Sequence, residues 1–252
     1  MELDLMAILL LGGTGFVAGI INTLAGGGSN LTLPALMMLG LPADVANGTN
    51  RVAVLMQCVV AVAGFDKHNS LDRPAVAPIL VPTIIGGITG ALAAALLPNL
   101  YLKPVLLLTI LTMSAVILLR PSIIAPEPGS SALSPKDNRA AWWGLFGAGI
   151  YGGFVQAGVG FILLAALAGG LRYDLVRANA LKMTCTLTFT VVSVLVFIYF
   201  DQIRWLPGVI LALGTMVGAH IAVKFAVKAS PNTIKWFLFV MTLFAVAGGF
   251  FL

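Results

Sequence analysis

The chain has 252 residues, 60% of them hydrophobic and only 9% charged, with 14 Lys and Arg against 9 Asp and Glu. A soluble globular domain carries about a quarter charged residues and no more than about half apolar ones, so a water-soluble fold is excluded. At about 20 residues per crossing the length admits about ten to twelve membrane segments and little else. The basic residues are scattered between apolar runs, which argues against a nucleic-acid partner. Cys58 and Cys185 lie inside apolar runs and suggest neither a disulfide framework nor a metal site, and nothing in the sequence calls for a cofactor. The acidic start MELDLM reads as mature structure and not as a cleaved signal.

In chain order, apolar runs bounded by Pro, Gly or charge fall at residues 5–21, 26–40, 44–65, 74–97 and 102–119. A Pro- and Ser-rich polar stretch follows, RPSIIAPEPGSSALSPKDNR, which cannot span and reads as a linker. Five more runs follow at 141–156, 157–170, 175–199, 205–227 and 233–252. The organisation expected is a membrane repeat over 1–119, a linker over 120–140 and a second membrane repeat over 141–252.

The two halves match residue by residue. Gly15, Gly19 and Asn22 lie against Gly149, Gly153 and Gln156; Asp44 against Asp174; Asn47 against Asn179; Gly86 and Gly90 against Gly214 and Gly218. Such duplication is frequent in membrane transporters. Because Lys and Arg gather on the cytoplasmic side, their distribution discriminates between topologies. Five segments per half invert the second repeat and put eleven of the fourteen cations on one face, leaving Arg51, Lys103 and Arg204 on the other. Merging the first two runs of each half into one crossing removes the bias. The reading is therefore an all-α polytopic membrane protein of 8 to 10 segments, made of two inverted-topology repeats. Each repeat has a Gly-interrupted short or re-entrant helix pair and three full spans. The linker is expected in the cytoplasm and both termini outside.

In hydrocarbon, interrupted helices are tolerated only where they line a cavity or pack in protein. The block AGGGSNLTLPAL at 25–36 and the block QAGVGFILLAAL at 156–167 are such interruptions, at corresponding places in the two halves. This pattern points to a transporter's midplane site, and helix starts with close glycine backbone suit an anion. Gly26, Gly27, Gly28, Ser29, Asn30, Gln156, Gly158 and Gly160, with Asn22, are the candidate ligands there. The glycine pairs at 15/19, 86/90 and 214/218 read instead as close helix packing. The following spans open with VANGTNRVAV and VRANALKMTC, placing Asn47, Thr49, Asn50, Arg51, Asn179, Lys182 and Thr184 within the membrane as further candidates. Arg51 and Lys182 either face inward, adding positive potential, or snorkel to the headgroups. Asp44 and Asp174 read as N-caps. No acid falls mid-span, so the usual carboxylate relay has no candidate, and His220 reads as a packing histidine.

The GGG-S-N-x-x-x-P block, the A-x-G-T-N start of the third run and the QAGVG block resemble the TauE/SafE sulfite-exporter family over about residues 12–250. The resemblance implies a permease of the bacterial inner membrane moving small sulfur-containing anions such as sulfite or organosulfonates, with the bilayer and the anion as partners and self-association left open. It does not deliver the substrate: another small anion, such as a carboxylate, is the alternative. A channel is a further class. So is an intramembrane hydrolase built on Ser29 and His220, although Asn30 follows Ser29 where such enzymes carry glycine.

Overall fold

The computed structural model describes residues 4–119, 132–134, 138–229 and 233. The described residues are helical throughout, without a strand. In chain order the helices are α1 (Leu5–Leu24), α2 (Ser29–Met38), α3 (Ala43–Lys67), α4 (Arg73–Leu96), α5 (Asn99–Leu119), α6 (Arg139–Phe154), α7 (Val159–Leu164, continued by a π-helical run Ala165–Gly170), α8 (Leu175–Tyr199) and α9 (Trp205–Lys228). Five of them, α1, α3, α4, α8 and α9, are long and apolar enough to cross a membrane. Most of the expected linker and the run at 233–252 lie outside the described residues, apart from Leu133, its immediate neighbours, and residues 138–140 and 233.

Short polar signals start the helices. Asp4 caps α1 by accepting from the Ala7 N–H at 2.8 Å, and Asn138 caps α6 by accepting from Ala141 at 3.1 Å. Asp174 caps α8, accepting from Val176 and Arg177. Asp44 departs from the expected cap: Pro42 holds the capping position of α3, and Asp44 sits in the first turn with its own N–H donated to Asn99 Oδ1. A carboxylate in that turn still complements the helix dipole.

The ends of the bundle follow from who meets whom. At one end, Gln202 donates to the Ala95 carbonyl, Arg204 N–H to Thr49, and Asp44 N–H to Asn99. This end therefore collects the α2–α3, α4–α5 and α8–α9 connections. At the other, Asp66, Asn69, Asp72, Arg73 and Arg177 line one surface pocket, and Asn138 donates to the Gly170 carbonyl. It collects the α3–α4 turn, the start of α6 and the approach to α8.

The short second runs are not continuations of the first. Leu11 near the start of α1 packs with Leu36 and Leu41 at the end of α2, so α2 folds back along α1. The π-helical run likewise returns to the start of α6, where Gly170 faces Ala141. With 10 residues, α2 is about 15 Å long, half the roughly 30 Å core of a bilayer. Each half thus contains a broken hairpin, the first opening at the end that holds Asp44 and Arg204, the second at the end that holds Asp72 and Arg177.

Glycines bring the halves together. A Cβ on Gly15 would stand 2.6 Å from the Leu211 carbonyl oxygen of α9, and one on Gly19 would collide with Thr215. In the same manner Gly149 and Gly153 of α6 press on Thr83 and Gly87 of α4. The small-residue stripes expected to permit close packing do so across the two halves.

Candidate functional site

The breaks after α1 and α6 share one geometry. Ala25 and Gly26 N–H both donate to the Ile21 carbonyl, and Gly26 is left-handed at φ 98°. Val155 and Gln156 N–H both donate to Tyr151, and Gln156 is left-handed at φ 67°. Gln156 therefore occupies the position of Gly26, although the sequence match paired it with Asn22. The cause is length: from the packed Gly19 to the break α1 runs one turn further than α6 does from Gly153. A non-glycine in that conformation costs about 1–2 kcal/mol, so Gln156 is retained there against strain. Its side chain is buried, donates to Thr190 Oγ1 at 3.2 Å and leaves Oε1 without a partner.

A helix that ends inside a membrane leaves its last carbonyls without donors and carries the negative end of its dipole. Each break is closed by a cation from the other half. Lys182 of α8 donates to the carbonyls of Asn22 at 3.0 Å and Thr23 at 2.8 Å, and to Asn179 Oδ1 at 2.7 Å. Arg51 of α3 donates to the carbonyls of Gly152 and Gly153, the latter at 2.8 Å, and to Asn47 Oδ1 at 3.3 Å. Counted back from Gly26 and Gln156, the four carbonyls occupy the same two positions. Asn47 adds a bond to the Phe154 carbonyl, whereas the matching Nδ2 of Asn179 is buried without a partner. Arg51 also lies 5.6 Å from the centre of the Phe197 ring.

These side chains are 0% and 1% exposed for Arg51 and Lys182, which excludes snorkelling. They point inward, toward the C-terminal carbonyls of α1 and α6. The ion pairs among the described residues are Arg73–Asp66 and Arg177–Asp174, both at the bundle end, so neither interior cation has a carboxylate.

The two breaks touch. A Cβ on Gly26 would overlap the Gly160 backbone, and Gly160 N–H donates to the Gly26 carbonyl at 3.3 Å. Gly27 faces the Phe161 ring, Gly28 is pressed against Ala18 and Asn22, and left-handed Gly158 precedes α7. Asn50 donates to Ser29 Oγ at 3.1 Å and accepts from Thr32 at 2.6 Å, tying α3 to the start of α2, where Asn30 is also buried. Asn22 donates to Gln57 Oε1, and Gln57 donates to Thr23.

Two candidates serve elsewhere in this conformation. Thr49 accepts from Arg204 N–H at the bundle end, and Thr184 donates to Ala180 of its own helix. His220 is exposed, which corrects its reading as a packing histidine, whereas Ser29 is buried and accepts from Asn50. Gln57, Thr23, Thr32 and Thr190 join the network without having been singled out. A glutamine inside the apolar run VAVLMQCVV was the available signal for Gln57; the threonines, which also suit helix interiors by bonding to their own backbone, offered none.

This architecture has relatives. Residues 11–248 match the family described as sulfite exporter TauE/SafE. The chain is 28% identical over 251 residues to a "Probable membrane transporter protein" of Haemophilus influenzae, covering 97% of this chain and 94% of that one. It is 25% identical to "Probable membrane transporter protein ORF9" of Sinorhizobium sp, over 90% and 86% of the two chains, and 25% identical to "Probable membrane transporter protein YfcA" of Escherichia coli K12, over 93% and 87%. With the match running through both broken hairpins and both buried cations, the chain belongs to the TauE/SafE sulfite exporter family and is a membrane transporter, not an enzyme.

Proposed function

We propose that the protein moves a small sulfur-containing oxyanion, sulfite or an organosulfonate, across a bacterial inner membrane by alternating access between two inverted-topology repeats. The observation that carries this reading is the pair Arg51 and Lys182, buried without a carboxylate at breaks that touch each other. Each helix end supplies about half a negative charge, which leaves about half a positive charge at each break in a medium of low dielectric. An anion is the partner that completes such a site. Asn22, Ser29, Asn30, Asn50, Gln156 and Asn179, with backbone N–H groups of the glycine breaks, supply neutral donors and acceptors around it. Contact between Gly26 and Gly160 requires the hairpins to part before an anion enters, which is the motion that rocking of one repeat supplies.

Two features support the inverted arrangement: the hairpins open toward opposite ends, and the same glycine contacts recur with the halves exchanged. Lys67, Arg73, Arg139, Arg172, Arg177 and Lys228 lie toward the α3–α4 end, so that end is the cytoplasmic one by the positive-inside rule. The sulfur in the substrate rests on the family description alone.

Purified protein titrated with sulfite, methanesulfonate, sulfate and acetate, with thermal unfolding as the readout, tests the reading. A ligand at a hundred times its Kd stabilises by about 2.7 kcal/mol, a shift of several degrees. Stabilisation by sulfite or the sulfonate is expected; stabilisation by acetate alone substitutes the carboxylate alternative, and no response to any anion refutes the site.

A further inference from the structure

Building on the anion-transport reading, we infer that Lys182 is the group that couples passage of the anion to a proton. Its three acceptors, at 2.7, 2.8 and 3.0 Å, use all three protons of an ammonium group. A neutral amine has two N–H bonds, and its lone pair would face the third oxygen. This conformation therefore holds the protonated form. Two of the acceptors, the Asn22 and Thr23 carbonyls, belong to α1, so two of the three bonds run between the halves and separate when the tip of α1 leaves α8, while Asn179 Oδ1 of α8 stays with the amine.

Apart from Asn179, the residues of α8 flanking Lys182 belong to an apolar core, in which Ala180 and Met183 pack with Leu24, Cys58, Ala219 and Val223. Among the described residues no acid pairs with Lys182. On α3, Cys58 is buried and interacts electrostatically with the amine. α1, α4 and α7 turn no charged or titratable side chain toward it. On α6, Tyr151 bonds to the Ala157 carbonyl and lines a groove with α5, and Arg139 stands at the bundle end. On α9, His220 and Lys224 are exposed, and on α8 itself Arg177 is paired with Asp174 while Cys185 packs against the core around Phe189. An ammonium left with the Asn179 amide oxygen alone in such surroundings keeps its proton only while an anion stands beside it.

The cycle follows. With the anion bound, the proton stays on Nζ; when the anion leaves to water, the N–H bond breaks, its electron pair returns to nitrogen and the proton leaves to the same side. One proton accompanies each monoanion in the same direction, without net charge. Arg51, at the equivalent break, cannot take this part because a guanidinium does not deprotonate. The two halves thus place a fixed charge and an exchangeable one at matching positions.

The test uses full-length protein in liposomes with a pH dye trapped inside and methanesulfonate, which binds no proton near neutral pH, as the probe. An inward methanesulfonate gradient acidifies the lumen of wild-type vesicles. Lys182→Arg is expected to slow methanesulfonate counterflow, and the acidification per methanesulfonate exchanged falls at least tenfold below that of wild type. Acidification by the variant at the wild-type rate, or wild-type net uptake without any lumen pH change, overturns the assignment. Should Lys182→Arg not reach the membrane, the wild type decides alone: an inward proton gradient raises net uptake at least tenfold, and an imposed potassium diffusion potential leaves it unchanged. Uptake driven by potential and indifferent to the pH gradient contradicts it. Absence of counterflow for both methanesulfonate and sulfite defeats the transport reading itself, and this inference with it.

Discussion

Arg51 and Lys182 show how much a buried charge does through backbone alone. Among the described residues neither pairs with a side-chain acid; each satisfies carbonyls that a broken helix would otherwise leave bare inside the protein. Replacing Arg51 with methionine removes the donors to Gly152, Gly153 and Asn47 while keeping apolar bulk. Each buried acceptor left without a donor costs about 1–3 kcal/mol, so Arg51→Met is expected to lose several kcal/mol of stability, and Arg51→Lys, which retains the charge, less. Thermal unfolding of the purified variants checks this; a Met variant as stable as wild type would remove Arg51 from the break. The polar character of these positions was legible in the sequence, since cations and amides inside apolar runs are costly wherever they point. Their partners were not, because main-chain carbonyls of the other half have no signature in residue identity. Gln156 was misplaced against Asn22 for a related reason: the matched glycines fix the helix faces, and α1 then adds a turn that no residue type announces.

Among the helices, the expected runs and the observed ends agree closely, as with 74–97 against Arg73–Leu96 and 175–199 against Leu175–Tyr199. Charged residues, Pro and Gly punctuate these segments so plainly that length and polarity suffice. The sequence left open whether the short segments cross, re-enter or merge, because turning back depends on what α2 packs against, here Leu11 and Leu41. It also did not reveal that α7 widens into a π-helical run at Ala165–Gly170. The glycine stripes carry a prediction of their own. Gly19 admits no side chain because Thr215 backbone stands in the way, whereas Gly13 has nothing within 4 Å of a Cβ. Gly19→Val is expected to separate α1 from α9 and cost more than the about 1–3 kcal/mol usual for overpacking, while Gly13→Ala is neutral or slightly stabilising. Equal yields and melting temperatures for the two variants would argue against a glycine-mediated contact.

Over the whole molecule, the account requires that the two hairpins enter from opposite sides and that the basic end faces the cytoplasm. His68 and Leu100 are exposed near opposite ends, and both native cysteines are buried. Leu100→Cys should react with a membrane-impermeant maleimide in intact spheroplasts, and His68→Cys only after permeabilisation; the reverse order inverts the orientation. The all-helical membrane fold and the location of the breaks could be read from composition, spacing and glycine pattern. The closure of each break by the opposite half could not, since it exists only once the two halves are assembled. The claim on which the rest depends is that an anion passes between those halves. Counterflow in proteoliposomes measures it most directly: vesicles loaded with unlabelled sulfite and diluted into trace labelled sulfite should accumulate label transiently, with saturation as the loaded concentration rises. Label that equilibrates no faster than in protein-free vesicles, for sulfite and for every organosulfonate tried, would contradict the account.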